Sequence, residues 1–276
     1  MDAAPTSLDL LPAPTGGRVW VAFSGGRDST VLLHRLAADI AIRARGLCAL
    51  HVHHGLMDEA DAWAEHCAQA CRTLDVPLRI VRVLVDRRGE GLEAAARTER
   101  HAAFVETMAN GDILATAHHR DDQAETFLFR ALRASGPDGL AAMRPWRTFG
   151  PGWLWRPLLE TPRGDLQAYA RAHGLAWIED PSNAQTDLDR NFLRHEVLPL
   201  LARRWPHAAA AFARSAALNA DTADLLAHHD ARLLAAAATA DPAALRIDLL
   251  RASDPSQRAR ILRRWIDTLS LPPLPA

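Results

Sequence analysis

The chain has 276 residues, 49% hydrophobic and 24% charged, with a formal net charge of −1. That is room for one large domain or two moderate ones, and no global charge excess demands a nucleic-acid partner. No run approaches 18 apolar residues and the amino terminus has neither the basic start nor the apolar core of a signal peptide, so no membrane segment and a cytoplasmic location are expected. Three cysteines are too few for a disulfide framework, and all 32 basic residues are arginine, which excludes the Walker-type phosphate loop because that loop needs a lysine.

After a Pro/Gly/Ala leader, GRVWVAF (17 to 23) is a short strand-forming run, and FSGGRDST (23 to 30) turns directly into a segment with apolar residues at helical spacing. Glycines at 25 and 26 let backbone N–H groups approach an anion, Ser24 and Ser29 add hydroxyls, and the helix that follows offers its amino end. These four residues are candidate phosphate ligands. Asp28 has two readings that the loop alone leaves open: a helix cap, a role worth about 1 kcal/mol, or a ligand for Mg²⁺ lying between its carboxylate and the phosphates.

The alternation continues through LCALHVHH as a strand, DAWAEHCAQACRTL as a helix, LRIVRVLV as a strand, LEAAARTERHAAFVETMA as a helix, DILATAHH as a strand and DDQAETFLFRALRAS as a helix. WLWRPLLE (153 to 160) adds a strand-like piece, and Thr161 and Pro162 mark the start of another helix. Strands alternating with helices predict a parallel sheet covered on both faces, with ligands at the carboxyl ends of its strands. On that rim fall Ser24 to Ser29, His51 to Gly55 and His118 to Asp122. Cys67 and Cys71, four apart on a helix, read as buried small side chains. The polar stretch around EDPSN reads as a loop. Beyond Asn191 the chain is rich in Ala, Leu and Arg without a strand, so a helical second domain is expected, divided from the first near Trp205 and Pro206. The chain stops just after an amphipathic helix, which suggests a longer parent protein.

Ser-Gly-Gly-x-Asp-Ser after the first strand resembles the loop of the PP-loop ATP pyrophosphatases. HVHHGL, GLEAAARTERH, ATAHHRDDQAETFLFRALRASG, RPLL, and EDPSN followed by RNFLRHEVLPLL together resemble the tRNA(Ile)-lysidine synthetase family, in order, from residue 20 to about 205. The resemblance implies a Rossmann-like α/β fold of the adenine nucleotide alpha hydrolase type with a C-terminal all-helical domain, a catalytic domain over 1–205 and a tRNA-binding domain over 206–276. It implies ATP as co-substrate with Mg²⁺, and two further partners, free lysine and tRNA(Ile) with a CAU anticodon. The wobble cytidine is adenylated at the C2 carbonyl oxygen, then attacked at C2 by lysine's ε-amine. Three positions depart from the family pattern, which usually has asparagine at His53 and arginine at Met57, and often glycine at Ala134.

Asp122 and Glu125, three apart at a helix start, share a face that suits lysine's ammonium, although acids there also complement the helix dipole. Asp180 is similar to the family position that completes this acidic pocket. Arg97 resembles a family arginine near nucleotide and tRNA, and His118 is a candidate nucleotide contact. For tRNA, Arg190, Asn191 and Arg194 match a family motif, with Arg203, Arg204, Arg260, Arg263 and Arg264 as further arginines on helices. His51, His53, His54, His118 and His119 invite a metal reading, which the fold makes the weaker one. The alternatives are another PP-loop enzyme, for tRNA thiolation or for GMP or NAD synthesis, and a non-catalytic nucleotide-binding module.

Overall fold

The computed structural model describes residues 16–55, 59–85, 92–179 and 189–269. The chain separates into two compact units, one formed by residues 1–126 and 143–213, the other by 127–142 and 214–276.

The first unit is built on a six-stranded sheet of order β3-β2-β1-β4-β6-β5. The strands are β1 (Val19–Ala22), β2 (Leu47–His53), β3 (Leu78–Arg82), β4 (Ile113–Ala115), β5 (Trp146–Phe149) and β6 (Gly152–Trp155). Helices α1 (Arg27–Ala38), α2 (Ile40–Ala44), α3 (Ala60–Thr73) and α4 (Leu92–Thr107) link the first four strands, and α5 (Arg120–Ala131) leaves β4. The short α6 (Pro137–Leu140) precedes β5. After β6 come α7 (Arg163–Ala172), with Pro162 at its cap, α8 (Asp189–Phe192), a π-helical turn at Leu193–Val197 and α9 (Leu198–Arg204).

All strand pairs are parallel except β5 with β6, which form an antiparallel hairpin at the edge. The sequence reading missed β5. Its four residues follow Pro145 and alternate Trp-Arg-Thr-Phe, too short a run to declare a strand before its partner is known.

Side chains alternate across the strands. Val19, Val21 and Phe23 face a core shared with Leu32 and Leu36 of α1, Cys67 and Cys71 of α3, and Leu166 of α7. Trp20, Cys48, Leu50, Leu114 and Leu154 face the other way, against Phe104 of α4, Met108 just beyond its end, and Phe149. β1 and β4 are neighbours in the sheet although α1 leads from β1 to one side and β4 is reached from β3 through α4, so the strand order reverses between them. That reversal opens a crevice at their carboxyl ends. The loops beginning at Ser24 and at His118 are its two lips.

The second unit contains the end of α5, α6, most of α10 (Ala208–Ala237), α11 (Ile247–Ala252) and α12 (Pro255–Thr268). Ala223, Ala237 and Ile261 are buried. Asp254 caps α12 by accepting from the Gln257 N–H, and Arg260 of α12 donates to the buried Asp230 of α10 at 2.9 and 3.2 Å. Arg260, one of the arginines read as an RNA contact, is therefore engaged within its own unit. Ala134 takes φ 53°, the left-handed conformation that the glycine of the family pattern adopts without steric cost. Among the described residues no helix is long and apolar enough to cross a membrane.

Candidate active site

The loop from Ser24 to Ser29 is held by its own polar atoms. Ser24 Oγ lies 3.0 Å from Ser29 Oγ and accepts the Gly26 N–H at 3.3 Å, while Ser29 and Thr30 hydroxyls donate to the Gly26 carbonyl at 2.9 and 3.0 Å. Gly25 has φ +83°, and a Cβ there would stand 2.7 Å from Ile178 Cδ1 and 2.9 Å from Cys67 Sγ. Glycine is therefore required on two grounds, backbone conformation and the floor beneath the loop. Ile178 pins the loop from the side through a hydrogen bond from its N–H to the Gly25 carbonyl at 2.9 Å. Gly26 is the α1 cap residue, and no side chain caps the helix. The first-turn N–H groups face the crevice mouth with no side-chain acceptor, the arrangement a phosphate takes.

Asp28 is therefore not the cap of α1. Its carboxylate pairs with Arg27 at 2.8 Å and faces His119 Nε2 at 3.5 Å. Burial opposes its ionisation, yet His119 and Arg27 hold its pKa down to about 2. His119 itself is 2% exposed. Its other ring nitrogen, Nδ1, lies 3.5 Å from Asp122 and 3.9 Å from Asp121. In the neutral ring Nδ1 accepts the Asp122 N–H at 3.3 Å; in the imidazolium it faces the two carboxylates instead. Burial disfavours the imidazolium, but Asp28, Asp122 and Asp121 outweigh it and raise the pKa above the usual 6.5. One ring thus joins the phosphate loop to the acids of α5.

Those acids are deeply placed. Glu125 is 1% exposed and Asp122 7%. Two arginines from the α8 region close over them: Arg194 Nε donates to Glu125 at 2.7 Å and its Nη2 to Asp122 at 2.8 Å, while Arg190 Nε donates to Glu125 at 3.0 Å. Burial resists the Asp122 charge, but His119 and Arg190 bring its pKa below the ordinary carboxylate value, and the Arg194 pKa rises against burial through Glu125 and Asp122. The face read from sequence as a cation pocket does hold cations, and they are this chain's own guanidinium groups. The structure places Arg190 and Arg194 on the acids rather than on an open basic face; Asn191 is half-buried between them in sequence.

His118, next to His119 in sequence, belongs to the other side of the sheet. It lies 2.9 Å from the Thr116 hydroxyl, and burial, then Arg156, Arg190 and Arg97, push its pKa well below 6.5 against the pull of Asp122. Arg97, on α4, is exposed and has no carboxylate partner among the described residues. Asp180 and Met57 lie outside the described residues. His53, where the family pattern has asparagine, is buried with Asp61 at 3.2 Å and Arg82 at 3.3 Å. Cys67 and Cys71 are buried on α3, and burial raises their thiols to about 12 and about 11. They are protonated packing groups.

Residues 5–201 match the family model described as the PP-loop domain. The chain belongs to the PP-loop domain family. The tRNA(Ile)-lysidine synthase of Xanthomonas axonopodis pv. citri (strain 306) is 59% identical over 272 residues, which are 98% of this chain and 62% of that protein. The enzyme of the same name from Shigella flexneri is 48% identical over 256 residues, 91% of this chain and 58% of that protein. This PP-loop chain therefore spans less than two thirds of the length of either relative. The U34-tRNA thiolase NcsA from Methanococcus maripaludis, solved with its 4Fe–4S cluster, shares the fold with a TM-score of 0.60 at 16% identity, over 74% of this chain and 72% of that one.

The loop residues Ser24, Gly25, Gly26 and Ser29 form one lip of the crevice, inside the stretch that the PP-loop model matches. The sequence reading did not single out His119, whose signal was the His-His pair after a strand: alternation sends the two rings to opposite faces. It also left Arg156 inside the motif RPLL without a role. No group of three or more His, Cys, Asp or Glu side chains is arranged for a metal among the described residues. An ionised Asp28 carboxylate at the edge of the phosphate loop suits an ion that takes one or two protein oxygens and completes its shell with phosphate and water, as Mg²⁺ does.

Proposed function

We propose that the protein is a ligase that forms lysidine: it uses ATP to adenylate the C2 carbonyl oxygen of the wobble cytidine in tRNA(Ile) with a CAU anticodon, then joins free lysine to C2, giving AMP and pyrophosphate. The observation that carries this reading is the His119 ring, which reaches Asp28 with one nitrogen and Asp122 with the other. A phosphate site and a cation pocket thus share one crevice, as AMP transfer followed by amine attack requires. The relatives' names point the same way.

The Gly25–Gly26 backbone, Ser24, Ser29 and the open end of α1 hold the phosphates so that the α-phosphorus faces the base. Asp28 is the residue to hold Mg²⁺, whose chemistry there is to neutralise phosphate charge. Lysine's ammonium enters at Asp122 and Glu125 by exchange with a guanidinium, so no bare carboxylate is left in the crevice. Once the substrate is adenylated, a pocket carboxylate accepts the proton that the ε-amine sheds as it attacks C2 and AMP departs. Asp180 completes the lysine pocket. Arg97 is the catalytic-side contact to the RNA, His118 lies against the nucleotide, and Arg190, Asn191 and Arg194 are the further tRNA contacts, the guanidinium that lysine displaces turning to the RNA. The segment 1–205 is the catalytic domain, 206–276 the tRNA-binding one, and the cytoplasm the site of action.

The test is incubation with ATP, labelled lysine and the CAU tRNA. Label should enter the tRNA, and pyrophosphate release should require tRNA but not lysine. Release without tRNA would point to another PP-loop ligase; ATP binding without any release would leave a nucleotide-binding module.

A further inference from the structure

On the α4 side of the rim, a second group of charges is arranged in the opposite sense to the acid pair. Alternation places it. Leu114 and Leu154 pack toward α4, so His118 and Arg156, further along the same alternation, emerge on that side past the strand ends. Arg147 is two residues before Phe149, which packs on α4 as well. On α4 the stripe that buries Phe104 continues toward the rim through His101 and Arg97. Phe149 ties the set together: His101 stands edge-on to its ring at 5.6 Å, and the Arg147 guanidinium is 5.3 Å from its centroid.

Arg156 is 9% exposed. One amino group donates to the Arg144 carbonyl at 2.6 Å, but its Nε is buried with no partner. None of Arg97, Arg147 and Arg156 has a carboxylate partner among the described residues, whereas Arg27, Arg190, Arg194 and Arg260 all do. The three repel one another. Burial, then Arg147 and Arg97, lowers the Arg156 pKa to about 10, and burial and Arg97 lower that of Arg147. A half-satisfied, partly buried guanidinium beside two like charges costs free energy unless an anion completes it.

We infer that Arg147 and Arg156, with Arg97, form an anion site for a backbone phosphodiester of the RNA substrate beside the nucleotide that enters the crevice. The occupant is RNA rather than the ATP phosphates because α1, which follows the phosphate loop, packs on the other face of the sheet with Val19, Val21 and Phe23, whereas Leu114, Leu154 and Phe149 pack on this one. The planar forks of donors suit a phosphodiester. The site extends the function proposed above and rests on RNA being the substrate.

The experiment measures binding of the unmodified CAU isoleucine tRNA across a salt series, and ATP binding alongside, for the wild-type protein, Arg147→Gln and Arg156→Lys. Arg147 is exposed, so its replacement leaves folding intact, which a thermal melt checks. Arg147→Gln should weaken RNA binding roughly fivefold near 0.1 M salt and flatten the log–log salt slope by about 0.7 to 0.9, the loss of one phosphate contact. Arg156→Lys keeps the charge but loses the fork, so affinity should fall about threefold with the slope retained. ATP affinity should stay at the wild-type value in both. Unchanged RNA affinity and slope would overturn the site while leaving the proposed function standing. A loss of ATP affinity equal to or larger than that of RNA would also overturn it, assigning the arginines to the nucleotide. Wild-type protein that bound no RNA would overturn both readings.

Discussion

Two charged regions of the rim differ in one respect that organises the site. Around Asp122 and Glu125 every charge has a partner: two buried carboxylates meet two guanidinium groups at 2.7 to 3.5 Å. Among the described residues no carboxylate pairs with Arg97, Arg147 or Arg156, and the buried Nε of Arg156 has no acceptor. The first region is self-satisfied and must exchange one cation for another to work. The second is left incomplete by the protein alone. Removing a member of each should therefore have unequal consequences for stability.

The largest effect is expected at the paired region. Glu125→Ala strips the closest acceptor from both Arg190 and Arg194 and should cost about 3 kcal/mol, the lower end for breaking a buried ion pair because both arginines keep some access to water. Urea unfolding measures it. Arg147→Gln, by contrast, should leave stability within about 0.5 kcal/mol of wild type; equal losses in the two variants would erase the distinction.

Catalysis separates the regions next. Asp28→Ala should reduce tRNA-dependent pyrophosphate release by at least about 100-fold, the scale of losing one electrostatic contact to a developing charge. Glu125→Gln, which keeps the side-chain shape, should leave release measurable and impair transfer of labelled lysine. A parallel loss of both steps in both variants would show that loop and pocket do not divide the reaction.

A smaller effect concerns His119. Its pKa is raised in the folded protein, so its contribution to stability is complete below the unfolded value near 6.5 and is lost as pH rises through the folded value. Asp28→Asn removes one of the carboxylates that raise it. The ring's pKa, followed by NMR titration of its carbon-bound protons, should fall, and the stability gap between variant and wild type should narrow as the pH rises through the wild-type value. A ring that titrates identically in the variant would place the control with Asp122 and Asp121 alone. Asp28, held at about 2, acts at the other end: its contribution is present above pH 4 and fades as pH falls toward 2. The smallest effect lies away from the rim. Ala134→Gly, at φ 53°, should stabilise by about 0.5 kcal/mol, relief of left-handed strain being partly offset by unfolded-state entropy.

The strand–helix alternation, the phosphate loop and the buried character of Cys67 and Cys71 were legible in the amino-acid order, since each depends on near neighbours: turn glycines, helical spacing, apolar runs. The acidic face of Asp122 and Glu125 was legible as well, being two residues three apart on one helix. Its occupants were not. Arg190 and Arg194 lie 65 to 72 residues away in sequence from the acids they meet, and nothing in RNFLRH says whether its guanidinium groups face RNA or a carboxylate. The two histidines after β4 show the same limit in two adjacent residues. Sequence places both at a strand end; only the packed sheet sends His119 to Asp28 and Asp122, and His118 to the arginines. Local backbone chemistry is carried by consecutive residues, whereas the pairing of charges depends on distances of a few ångströms between segments that the fold alone brings together.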